Sequence, residues 1–129
     1  MNAFRLFLHV FAASIWVGGQ LVLAGLLPTV RRLGEDAPRQ VALAFNRIAW
    51  PAFAVAVVTG LWNVFAIPLE DLQHPWIELK VLAVVLTGVG AAVHQNARGN
   101  KAMLAAGGAA SAIFAVAAMY LGFLVTPVP

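Results

Sequence analysis

The chain has 129 residues, 62% hydrophobic and 10% charged, where soluble domains average roughly 45–50% and about 25%. Mean hydropathy is +0.88; a soluble fold could not bury that much apolar surface. The net charge of +3 is divided among short segments between apolar runs, which fits membrane loops and excludes a nucleic-acid surface. There is no cysteine, which excludes disulfides, thiolate metal sites and haem attached through a Cys-x-x-Cys-His motif.

The first apolar run predicts a helix over residues 3–27, ended by Pro28 and a basic turn containing Arg31 and Arg32. Its start could pass for a signal peptide, with Arg5 as the charge and Leu6–Val17 as the apolar core. The run continues to Leu27, however, which is long enough to span a bilayer. Asp36 is placed to cap a second helix over 37–67, with Pro38 in its first turn. Within it Val41, Phe45 and Ile48 repeat at helical spacing in a headgroup-zone segment, and Trp50-Pro51 predicts an interfacial anchor and a kink at 51. A short acidic loop with Glu70, Asp71 and His74 leads to a third helix over 77–97. A second basic turn, Arg98 to Lys101, leads to a fourth over 102–125.

About 20 apolar residues cross a bilayer, so all four segments are candidate spans. Short connections predict an all-α integral membrane protein, an antiparallel four-helix bundle in one transmembrane domain. The bases Arg31, Arg32, Arg39, Arg47, Arg98 and Lys101 lie in or beside the first and third connections. The positive-inside rule therefore puts both termini outside a bacterial-type inner membrane. Helices three and four are rich in small residues, including Gly90, Gly107 and Gly108. Such faces let helices approach closely and are candidate docking surfaces for a partner subunit.

Polar chemistry is concentrated in two seams. His9, Trp16 and Gln20 share a stripe of helix one, and Lys80, Thr87 and His94 share a face of helix three. The orientation places His9 and Lys80 near the outer surface. Lys80 and His94 are 14 residues apart, about 21 Å along a helix, so His9 and His94 cannot ligate one haem iron within one chain. The depths predict an outer cluster of His9, Lys80, Asn63 and Met119, with His74 above it. An imidazole inside a span invites a metal or haem role; the alternative is a structural hydrogen bond to Asn63 or a backbone carbonyl. Lys80 either snorkels to the headgroups or faces a cavity. Met119 is packing filler or a soft copper donor, and His74 is solvated or collects a metal. Trp16 is deep enough to wall a cofactor pocket.

Leu8-His9, Ile15 to Gly19 and Leu27-Pro28 resemble the first helix of the copper-resistance protein D (CopD) family. Thr59-Gly60-Leu61-Trp62-Asn63 is similar to the end of that family's next helix, and Glu78-Leu79-Lys80 to the start of the one after. The resemblance covers about residues 5–100 and implies an inner-membrane protein that handles copper, in uptake or tolerance. The same pattern resembles the HemJ-type protoporphyrinogen oxidases more distantly, although their Tyr-Leu-Pro-Arg signature is replaced here by Gly18-Gly19-Gln20-Leu21. That resemblance implies a b-type haem on His9 and Lys80, in electron transfer or porphyrinogen oxidation. The candidate residues are thus His9, Lys80, Trp16 and Asn63 for a cofactor, and His9, Met119 and His74 for a metal. Membrane lipid and a homodimer or larger membrane complex are the expected partners, and no nucleic acid. A non-catalytic accessory subunit is the remaining alternative.

Overall fold

The computed structural model describes residues 2–68, 70 and 75–125. His74 and Asp71 lie outside the described residues. Four helices are present: α1 (Ala3–Arg31), α2 (Ala37–Phe65), α3 (Pro75–Gln95) and α4 (Lys101–Val125). Each is long and apolar enough to cross a membrane, and among the described residues there is no strand. The chain divides into two units, residues 1–66 and 67–129. Each is a helical hairpin with its own packing.

Helix α1 starts at Asn2, whose side chain accepts from the Phe4 amide at 3.1 Å, meeting one of the orphan donors of the first turn. Pro28 does not end the helix, which runs on to Arg31. Proline forfeits one hydrogen bond, to the carbonyl four residues back. The last turn is retained by the buried Val30, by Arg31 on the favourable end of the helix dipole, and by a bond from the Arg32 amide to Thr29 O at 3.1 Å. Asp36 occupies the N-cap of α2 but makes no capping bond. Its backbone is already helical, and its carboxylate accepts instead from the Gln40 side chain at 3.0 Å. Helix α2 stops at Phe65, short of the predicted 67, because Ile67 precedes Pro68 and is biased away from helical dihedrals. Pro75 opens α3, where a missing amide hydrogen costs nothing.

In the first hairpin the contacts run in antiparallel order. Near the turn, a Cβ on Gly19 would come within 2.6 Å of the Phe45 ring, so Gly19 makes the room that Phe45 fills. Farther along, Trp16 is buried against Phe53 at 4.4 Å and Trp50 at 5.4 Å between ring centroids. Trp50, expected as a headgroup anchor, is therefore part of the helix–helix contact. His9 and Arg5 meet the last turns of α2 at the open end.

The second hairpin is made differently. Cβ atoms on Gly90 and Gly107 would lie 2.7 Å from the Ser111 nitrogen and 2.5 Å from the His94 nitrogen, so the two backbones touch. Thr87, 1% exposed, donates from its hydroxyl to the Ser111 carbonyl at 2.7 Å. Gly107 and Gly108, read from the sequence as docking surface, are thus spent on α3 of the same chain. The turn is closed by Arg98 and Gly99 with φ of 46° and 84°. The Asn100 amide donates to Ala97 O at 2.8 Å, and its side chain accepts from the Met103 amide at 3.1 Å.

Candidate functional site

The polar stripe of α1 is met by the end of α2. His9 Nδ1 lies 2.9 Å from the Ala56 carbonyl and 3.1 Å from Thr59 Oγ1. A carbonyl only accepts, so Nδ1 carries the proton and Nε2 is the basic nitrogen of the neutral ring. Thr59 is buried, and its hydroxyl donates back to Val55 O at 2.6 Å, which leaves its oxygen lone pairs facing the imidazole N–H. Gly60 completes the seat: a Cβ there would stand 3.0 Å from His9 Cε1. The ring therefore lies against bare backbone.

One turn nearer the N-terminus, the Arg5 Nε–H donates to Asn63 Oδ1 at 2.6 Å. The guanidinium carbon sits 5.7 Å from the centre of the Trp62 ring, within cation–π range. Arg5 and His9 are four apart on α1, as Thr59 and Asn63 are on α2, so the helices meet in two rungs. The Thr59-Gly60-Leu61-Trp62-Asn63 stretch, singled out as a family-like ending, is physically the receptor for these two α1 side chains.

The expected residues fall as follows. For His9 the sequence left a metal or haem role beside a structural bond to Asn63 or a backbone carbonyl; the ring does bond the Ala56 carbonyl, and Asn63 is taken by Arg5. Trp16 packs into the aromatic cluster, whereas the open groove of about 330 Å³ along α1 and α2 is lined by residues such as Leu8, Phe11, Ile15, Pro51 and Val55. Lys80 and Met119 belong to the second hairpin. Lys80 bends across α4, where a Cβ on Gly122 would lie 3.0 Å from Nζ. Gly122 is what admits the ammonium. Met119 is 37% exposed on α4, beside the buried Ala118. His94 Nδ1 is 2.6 Å from Leu104 O across the second turn, and its ring covers Gly108.

Sequence reasoning missed three participants: Arg5, Thr59 and Gly60. The signal was available in the matched spacing of four on the two helices. Arg5 had been read only as a terminal charge. Among the described residues no group of three or more His, Asp or Glu side chains could hold a metal ion together. The chain matches no family model, no curated protein and no solved structure.

Proposed function

We propose that the chain is a multi-pass inner-membrane protein that binds a b-type haem, with His9 Nε2 as an axial ligand. The observation that carries this reading is the seat of His9: Nδ1–H is committed to the Ala56 carbonyl and the Thr59 hydroxyl. Ligating histidines are oriented in this way, with the second nitrogen hydrogen-bonded and the first presented to the metal.

The donor set favours haem over a bare ion. A copper ion needs two or more protein donors, and the first hairpin supplies one imidazole, with the Arg5 cation one turn away. A porphyrin brings four nitrogens of its own and asks the protein for one or two. Bound at His9, a haem would supply a one-electron couple for electron transfer or for oxidation of a porphyrinogen. The protein's part is to hold the imidazole tautomer and to keep water from the site. The basic residues at the two turns support a topology with both open ends outside.

The test is an absorption spectrum with metal analysis on the full chain, purified in detergent from haem-replete cells. A Soret band, lost in His9→Ala, is expected. A colourless protein, or a Soret band that survives His9→Ala, overturns the reading. Stoichiometric copper that disappears in His9→Ala, without a Soret band, would put copper handling on the same nitrogen instead, as the CopD resemblance implies.

A further inference from the structure

Arg5 is not needed to hold His9, yet it is fixed as firmly. Its Nε–H is bonded to Asn63 Oδ1 and its plane is near the Trp62 face. Both partners are neutral, so neither cancels its charge. The only acidic residues in the first hairpin are Glu35 and Asp36, at the far end of α1, where Asp36 is engaged by Gln40. A guanidinium half-buried in an apolar helix pair, oriented by two neutral contacts, is prepared for an anion. Arg5 lies four residues from His9, roughly 6 Å along the helix, on the same side and against the same stretch of α2. The two therefore lie side by side against α2.

We propose that Arg5 binds a carboxylate of the molecule seated on His9, as a fork that takes the two oxygens of an acid side chain. Asn63 and Trp62 are positioning residues for that fork. The inference rests on the haem reading above and adds to it that the ligand is recognised by a free acid group at the open end. Tetrapyrroles with ionised acid side chains are the class that fits, and their neutral esters are not. Asn63 matters because an amide oxygen can fix the guanidinium without neutralising it, whereas a carboxylate there would compete with the ligand.

The test compares haemin with its dimethyl ester, titrated into haem-free full chain in an uncharged sugar detergent and followed by the Soret band. Wild type is expected to bind the acid more tightly, by roughly tenfold, the scale of one charge-assisted contact at an interface. In Arg5→Gln the acid-to-ester ratio is expected to fall to about one; in Arg5→Lys part of the preference should return. Because the readout is a ratio within each variant, a folding defect lowers both affinities and leaves it interpretable. Equal affinity in wild type would mean that the guanidinium takes no acid group of the ligand, and overturns the proposal. So would a ratio unaltered by Arg5→Gln. An Arg5 effect seen only in phospholipid nanodiscs would assign the guanidinium to headgroup phosphate, with the same consequence. These three outcomes leave the haem reading standing, whereas absence of His9-dependent binding of either form overturns both.

Discussion

The two hairpins solve the same problem in opposite ways. In lipid there is no hydrophobic drive to bring helices together, so contact must come from packing and from polar groups with partners. The α3–α4 pair uses absence: Gly90 and Gly107 let the backbones touch, and Thr87 reaches the Ser111 carbonyl through the gap. The α1–α2 pair uses bulk: Trp16, Trp50 and Phe53 fill the middle, and Gly19 yields to Phe45. Bulk holds the helices apart, and the space near their open end is occupied by an imidazole and a guanidinium. Close approach gives a tight pair with its hydroxyls turned inward. Wider spacing gives a pair that seats polar side chains between its helices.

Substitutions can break or sharpen this contrast. The largest effect is expected at Gly107. Gly107→Leu would drive a side chain into the α3 backbone and should cost more than about 3 kcal/mol, beyond the usual range for overpacking, because no flexible side chain can give way. Gly25→Leu, where nothing lies within 4 Å of a Cβ, should change stability by less than about 1 kcal/mol. Unfolding in mixed micelles of rising SDS fraction measures both, and equal losses would refute the contrast. Next is Trp16→Ala, which removes the centre of the aromatic cluster. In a membrane the transfer part of that loss largely vanishes and the cavity part remains, so about 2 kcal/mol is expected by the same measurement.

The smallest effect is at the second turn and has the opposite sign. Arg98 is a non-glycine residue at φ 46°, beside Gly99. Arg98→Gly should stabilise the second hairpin by about 0.5–1 kcal/mol, since glycine takes that conformation without a Cβ penalty. A loss of stability would show that the arginine side chain contributes more than its backbone costs.

The four spans were legible because nothing but composition and length is needed to read them. Helix ends were less so. Pro28 reads as a stop, yet one lost hydrogen bond is small against a basic last turn and a buried Val30. Asp36 reads as a cap, yet capping depends on a dihedral that the residue type does not reveal. His9 stood out because an imidazole is rare in an apolar run. Its partner did not, since Asn63 and Ala56 are equally plausible acceptors until the register of α1 on α2 is known. Arg5 was passed over for the same reason: a charge near a helix start looks like a headgroup contact unless Asn63 is seen across from it.

Gly60 is the one part of the histidine's seat that a side chain could fill. A methyl group there would stand 3.0 Å from one edge of the imidazole, so the ring must give by a few tenths of an ångström, while Ala56 and Thr59 stay in place. Gly60→Ala therefore tilts the histidine without removing it. Were Nε2 to hold the iron of the proposed haem, such a tilt would alter the strength of that bond, so the position would tune the site without being a ligand.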